Sequence, residues 1–316
     1  MKDTNNSNNK AKVTIIGAGY VGSTISYALI LSNIVDEIVL IDRNNDKVES
    51  EINDIRHGFP FVGRTILRKG DYTDVLDSHI IILAIGRNRK VGESRLDLAN
   101  DNTIIAKEYI DKMKKYYNDS VILVVTNPID IITTNVTNWM NMPYGKIIGT
   151  GCILDSSRFV RLIADYTKVD IGEVRAMVVG EHGDSQVALW SKVKVKGISI
   201  YDYCKQNNLV WNDDIKVEIE NNVRNMGASI IKGKQRTQYG IATCTADIIN
   251  AIIKDKQIII SVSSILQGEL GLYGKALSFP SVIGYNGIID RQKVDWTEEE
   301  KNRFVKSYNA LYFIDI

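Results

Sequence analysis

Among the three histidines of the chain, His182 stands in the polar stretch Gly180-Glu181-His182-Gly183-Asp184-Ser185, directly after an apolar, strand-like run from Val174 to Val179. A scaffold presents side chains into a cleft at such a place, and an imidazole titrating near neutrality can take or give the proton of a hydroxyl. Its expected partner is Asp155, in Gly151-Cys152-Ile153-Leu154-Asp155-Ser156-Ser157-Arg158. A carboxylate on one ring nitrogen fixes the tautomer and stabilises the imidazolium. Arg158 follows three residues later, so on a helix the two share a face. Asp155 can then hold the histidine while Arg158 forms a bidentate pair with a substrate carboxylate. The same spacing serves an intrahelical ion pair worth about 0.3–0.5 kcal/mol, and spacing alone leaves the two readings even. His57 precedes Gly58 at an expected helix end and reads as a C-terminal cap, and His79 opens an apolar strand and reads as structural.

A second constellation lies near the N-terminus. Gly17-Ala18-Gly19-Tyr20-Val21-Gly22 has the form GxGxxG, follows an apolar run and opens a helix-like stretch. In that context the first glycine permits a tight turn, the second lets backbone approach a pyrophosphate, and the third lets helix pack on strand. Asp42 ends the next strand, twenty residues beyond Gly22. A carboxylate there accepts the ribose hydroxyls of an adenosine moiety and repels a 2′-phosphate, so the reading is NAD over NADP, softened only by the neighbouring Arg43. The competing reading, a surface turn with a capping Asp, is the weaker by roughly ten to one given strand, glycines, helix and acid in order.

The elements that must position these residues follow from the pattern. Val13 to Ile16, Glu37 to Ile41, His79 to Ile85 and Val121 to Val125 are short β-branched runs separated by helix-length segments. That is the signature of a doubly wound α/β domain, a parallel sheet covered on both faces. The Gly17 turn leads into a helix expected over Tyr20 to Leu31. Beyond about Gly149 the texture becomes mixed α+β, with helices from Ile153, around Ile215 to Lys232, over Tyr239 to Ile253 and over Thr297 to Tyr312, and antiparallel strands in Gln257 to Tyr285. The expected organisation is a flexible tail over 1–11, an NAD-binding Rossmann domain over 12–150 and a substrate domain over 151–316.

Composition closes off other classes of function. The 316 residues carry 39 Lys and Arg against 38 Asp and Glu, so there is no basic footprint for nucleic acid or membrane. No apolar run approaches the roughly 20 residues that span a bilayer. Cys152, Cys204 and Cys244 are too dispersed for a disulfide framework or zinc site, which favours a reducing, cytoplasmic setting. No metal ligand set is expected, and Cys152 reads as a small buried apolar residue.

Together Gly17 to Gly22, Asp42, Gly92-Glu93-Ser94-Arg95-Leu96-Asp97-Leu98, Thr126-Asn127-Pro128, Ile153 to Phe159, Gly180 to Ser185 and Tyr239-Gly240-Ile241-Ala242 resemble the L-lactate/malate dehydrogenase family. The match runs in order from about Lys12 to the C-terminus, and Gly92 to Leu98 and Ile153 to Phe159 are closer to the lactate branch. The resemblance implies an L-2-hydroxy acid dehydrogenase in which His182 exchanges the substrate proton, Asp155 orients it and Arg158 binds the substrate carboxylate. Arg95 would sit on a loop from about Gly86 to Leu96 that closes over a small 2-oxo or 2-hydroxy acid. Asn127 would reach the substrate oxygen and the nicotinamide ribose, and Gly17, Gly19, Tyr20, Val21, Gly22 and Asp42 would hold NAD. A homotetramer or homodimer is implied as well.

Some positions depart from the family pattern. Arg89, three residues before Gly92, stands where the lactate branch usually carries Gln and the malate branch Arg, where it would meet a second substrate carboxylate. Glu93, Leu96 and Thr237 point the other way, Thr237 by narrowing the side-chain pocket. Gln235 and Arg236 replace small or aromatic residues and add a possible second cation beside the pocket. The lead reading is a lactate-type enzyme of open side-chain preference, with malate dehydrogenase next. Val160 and Arg175 replace the Arg and His of a sugar-bisphosphate site, so activation by such a ligand is not expected. An inert nucleotide-binding relative would be free to lose His182, Asp155, Arg158 or Arg95, and all are present.

Overall fold

The computed structural model describes residues 11–87 and 96–311 and, of Arg95, the backbone. Arg89, Glu93 and the Arg95 side chain, singled out above, therefore lie outside the described residues.

The first half alternates strand and helix: β1 (Lys12–Ile16), α1 (Tyr20–Ser32), β2 (Glu37–Ile41), α2 (Asn45–Arg56), β3 (Ile66–Lys69), β4 (Ile80–Leu83), α3 (Arg95–Met113), β5 (Val121–Val124), α4 (Ile129–Met140) and β6 (Ile147–Gly149). Strands β1, β4 and β5 read KVTII, IIIL and VILV and are buried throughout, as a sheet covered on both faces demands. The parallel strands lie in the order β3-β2-β1-β4-β5-β6, which reverses direction between β1 and β4. In such a sheet ligands bind beyond the carboxyl ends of the strands at that reversal.

The second half comprises α5 (Ile153–Thr167), β7 (Val174–Arg175), β8 (Val178–Val179), β9 (Val187–Ala188), β10 (Lys194–Val195), β11 (Ile198–Ser199), α6 (Ile200–Gln206), α7 (Asp213–Lys234), α8 (Tyr239–Ile253), β12 (Ile258–Gln267), β13 (Tyr273–Gly284), β14 (Gly287–Arg291) and α9 (Glu298–Ala310). The antiparallel strands expected after Gln257 do more than form their own layer. β12 pairs with β6 through Ser263 and Gly149, so β12, β13 and β14 extend the parallel sheet to nine strands. The core crosses the same junction, since Ile248, Ile249 and Ile252 of α8 pack in one cluster with Ile25 and Leu29 of α1.

The run Val174 to Val179, expected as one strand, is two. Arg175 pairs with Lys194 in a small sheet of β7, β10 and β11, whereas Val178 pairs with Ala188, so the chain changes sheets between them. The N–H of Val178, at the changeover, donates to Ser156 Oγ of α5 at 3.0 Å.

Candidate active site

The glycine turn shows why each position is as it is. Gly17 has φ +113°, and a Cβ there would run into the Ala84 carbonyl of the strand end next door; a Cβ at Gly22 would run into the Gly17 carbonyl. These two glycines let β1, the turn and α1 pack. Gly19 differs, because a Cβ there would meet nothing within 4 Å. Gly19 is the N-cap of α1, where no side chain caps the first-turn N–H groups. An open cradle beside unsatisfied N–H groups suits a diphosphate. Asp42, at the end of β2, accepts the Ala18 N–H at 2.8 Å through Oδ2 and the Asn44 N–H at 3.1 Å through Oδ1. Each oxygen keeps a lone-pair site for a ribose hydroxyl, so the residues present fit a dinucleotide.

The carboxyl ends of β4 and β5 are tied together by Asn102 of α3, which is 2% exposed. Its Oδ1 accepts the Arg87 N–H at 2.9 Å, and its Nδ2 donates to the carbonyls of Arg87 at 3.2 Å and Asn127 at 2.7 Å. One amide thus fixes both the start of the segment leading to Arg89 and the backbone of Asn127, whose side chain is left exposed.

His182 lies on a turn pinned from three sides. Gly180 exchanges backbone hydrogen bonds with Ser278 of β13, and the Glu181 N–H donates to Ser307 Oγ of α9 at 2.8 Å. The His182 N–H itself donates at 2.8 Å to Oδ2 of Asp130, in the first turn of α4, and Ser263 Oγ of β12 donates to Oδ1 of the same carboxylate at 2.5 Å. Asp130 is buried, and that burial pushes its carboxyl up to about 7 despite the two donors. Sequence reasoning missed both Asp130 and Asn102. The available signal was a polar residue in an otherwise apolar helical face, visible only once the facing element is known.

The imidazole meets Asp155 from the first turn of α5, with His182 Nδ1 2.5 Å from Oδ2. Arg158 Nη1 donates to Oδ1 of the same carboxylate at 3.0 Å. The intrahelical ion pair forms and does not displace the histidine contact, since one oxygen serves the histidine and the other the arginine. The Asp155 side chain is 4% exposed and that of His182 is 26% exposed, so the carboxylate is sealed while the ring stays reachable. The Asp155 charge raises the His182 pKa above its ordinary 6.5; it outweighs desolvation, and the hydrogen bond adds to it. Burial would raise Asp155, but His182 and then Arg158 outweigh it and hold the carboxyl below its ordinary value. With Nδ1 taken, Nε2 is the nitrogen left to face a substrate.

Arg158 is framed by the second half. Gly227 of α7 lies against its guanidinium, where a Cβ would sit 3.6 Å from Nη2, and Gly240 of α8 lies against Leu154. Thr237 is half-buried in the segment joining α7 and α8. The other histidines keep apart from this cluster: the His57 N–H closes α2 on the Asn53 carbonyl, and the His79 ring packs 4.2 Å from that of Tyr285. Cys152 is buried with its Sγ against the Gly180 and Glu181 carbonyls, and burial pushes its thiol well up, as suits a packing role. Among the described residues no cluster of His, Cys, Asp or Glu could hold a metal ion. None of the described helices is long and apolar enough to cross a membrane.

The chain that builds this site is similar to known proteins over most of its length. The NAD-binding domain of lactate/malate dehydrogenases matches residues 11–149, and the α/β C-terminal domain of the same family matches residues 152–312. The L-lactate dehydrogenase of Acetivibrio thermocellus is 41% identical over 96% of this chain and 96% of its own length. That of a Thermoanaerobacter species is 42% identical over 95% and 96%. The solved structure of the minor L-lactate dehydrogenase from Enterococcus mundtii, in its ligands-bound form, superposes with a TM-score of 0.91 at 34% identity, covering 95% of this chain and 96% of that one.

Proposed function

The chain belongs to the lactate/malate dehydrogenase family and is an NAD-dependent L-2-hydroxy acid dehydrogenase of the L-lactate dehydrogenase type; on that premise we propose which of its residues do the work. His182 is the proton donor and acceptor, Asp155 its orienting partner, Arg158 the substrate-carboxylate ligand, and Gly17 to Gly22 with Asp42 the cofactor cradle. The observation carrying this reading is the single Asp155 carboxylate that holds His182 on one oxygen and Arg158 on the other.

The reaction is 2-oxo acid + NADH + H+ to L-2-hydroxy acid + NAD+. Arg158 anchors the substrate carboxylate through a charge-assisted pair, placing the carbonyl oxygen before His182 Nε2. NADH, when bound, supplies the hydride that reduces carbon 2. His182 delivers the proton from Nε2 to the carbonyl oxygen as negative charge develops there, and Asp155 stabilises the imidazolium beforehand and keeps Nδ1 protonated afterwards. In the reverse direction neutral His182 accepts the hydroxyl proton. Arg95, at the start of α3, and Asn127, at the end of β5, complete the oxygen site in this proposal, with Thr237 on the side-chain pocket.

We assign pyruvate and L-lactate as the substrate pair, because the relatives above are named for lactate and because Glu93, four residues after Arg89 in sequence, is available to neutralise it. We also place the enzyme in the cytoplasm as a homo-oligomer; its three cysteines are free thiols. The test is NADH oxidation with pyruvate, oxaloacetate, 2-oxoglutarate, 2-oxoisocaproate and phenylpyruvate, each repeated with Arg89→Gln. Pyruvate should lead in the wild type and change little in the variant. Oxaloacetate leading by orders of magnitude, with the variant moving to pyruvate, would overturn this assignment in favour of malate.

A further inference from the structure

Arg236 lies between α7 and α8 and is exposed, yet it has a definite seat. Gln235 ends α7 in the left-handed region (φ 66°), and the segment then turns across the start of α1. There the guanidinium carbon of Arg236 stacks 3.9 Å from the centre of the Tyr20 ring. Tyr20 is the first residue of α1, directly after Gly19, and its ring is 53% exposed. A guanidinium held over a ring face keeps N–H groups free to donate. Among the described residues Arg236 has no hydrogen-bond or ion-pair partner, so neither its charge nor its donors are spent within them. The ring it covers belongs to the first residue of α1, next in sequence to Gly19, whose Cβ position is open, and to the uncapped first-turn N–H groups, which carry partial positive charge themselves.

A cation held at the end of α1 that already carries partial positive charge favours an anion that both can bind. We propose that Arg236, seated on Tyr20, is a cofactor-binding residue that pairs with the diphosphate of the dinucleotide. The proposal rests on the NAD-binding reading of the Gly17 to Gly22 turn and extends it across the junction between the two halves. A cation contributed from the α7–α8 segment makes cofactor affinity depend on a residue of the second half. It also gives Tyr20 a role as the platform that orients that cation.

The test is equilibrium binding of ADP-ribose and of adenosine to the full-length protein at low ionic strength, for wild type, Arg236→Gln, Arg236→Lys, Tyr20→Ala and the double variant Tyr20→Ala with Arg236→Gln. Arg236→Gln should raise the ADP-ribose Kd about two- to five-fold, the range for a single exposed charge pair, and leave adenosine unchanged. Arg236→Lys should recover part of the loss, and the double variant should lose less than the sum of the single ones. Added salt should close the gap between wild type and Arg236→Gln. Equal ADP-ribose affinity in wild type and Arg236→Gln, or an equal loss for adenosine, would overturn the proposal. A wild type that binds no ADP-ribose would overturn the cofactor reading itself.

Discussion

The Asp155→Asn variant isolates the contact that the proposed mechanism depends on. The wild-type carboxylate lies 2.5 Å from His182 Nδ1 and is nearly sealed from water. Charge centres about 4 Å apart interact by about 4 kcal/mol at an effective dielectric constant of 20, and about 1.4 kcal/mol corresponds to one pKa unit. Removing that charge while Arg158 stays in place should carry the His182 pKa from above its ordinary 6.5 to below it. At neutral pH the protonated fraction then falls. An amide turned the wrong way adds a tautomer penalty, so the loss in kcat for 2-oxo acid reduction should be about 10²–10⁴-fold. The assay is the pH profile of NADH oxidation beside that of the reverse reaction. For the wild type, reduction holds above the ordinary imidazole range and falls as pH rises through the raised pKa, while oxidation rises through the same point. In the variant both limbs move to lower pH. Stability carries the matching signs. The raised His182 contributes fully below 6.5 and loses its contribution as pH rises through the folded value, whereas the depressed Asp155 contributes above 3.8 and loses its contribution as pH falls through its own. The melting-temperature deficit of the variant should therefore be greatest between those two values. A variant within three-fold of wild type, with an unmoved limb, would refute the reasoning and leave Asp155 as a helical ion-pair partner of Arg158.

Arg158→Gln should raise the KM for pyruvate about 10²-fold or more while NADH affinity, followed by fluorescence, stays within two-fold, because a bidentate carboxylate pair is lost and nothing near the nucleotide changes. Gly19→Ala should melt like wild type, since its Cβ meets nothing within 4 Å, and yet bind NADH at least ten-fold more weakly because the methyl occupies the approach to the turn. Gly22→Ala should instead fail in the melting experiment, its Cβ colliding with the Gly17 carbonyl. Asp130→Leu leaves the His182 N–H and Ser263 hydroxyl without their acceptor and should cost about 10–100-fold in kcat together with several degrees of melting temperature, whereas Asp130→Asn should stay within a few-fold. Since burial raises the Asp130 carboxyl to about 7, its folded form favours the proton. The stability this lends is complete below 3.8 and gone above 7, a loss that a melting series over pH should show for wild type and not for Asp130→Asn.

What could be read directly from the chain was whatever a local pattern dictates. The Gly17 to Gly22 turn, the all-buried strands and helices such as Tyr239–Ile253 follow from periodicity and turn chemistry that act within a few residues. The pairing of His182 with Asp155 was inferable because, of three histidines, His182 is the one in a polar turn after a strand, and Asp155 opens a helix three residues before Arg158. Less legible was anything set by which elements meet. Nothing in Ile258 to Gln267 says that it will lie antiparallel against β6 rather than within a separate layer, because β-propensity describes a half-buried surface and not a neighbour. The break at Ala176 and Met177 was hidden for the same reason, since both halves of that run are β-prone and only their partners differ.

Asp130 and Asn102 show where such blindness matters for catalysis. Each is a polar residue on a helix beside the end of a parallel strand, 2% exposed, and each holds a backbone group of another segment rather than a substrate. Burying a polar group costs energy unless it is hydrogen-bonded, so each can persist only where the fold supplies the partner. In turn each fixes that partner to within hydrogen-bond tolerance. His182 is thus placed twice, by Asp155 through its ring and by Asp130 through its backbone, and the two carboxylates reach it from α5 and α4, on opposite sides of the junction between the halves. An imidazole so held can move its proton without moving itself, which is what the general acid of the proposed mechanism, regenerated at every turnover, requires.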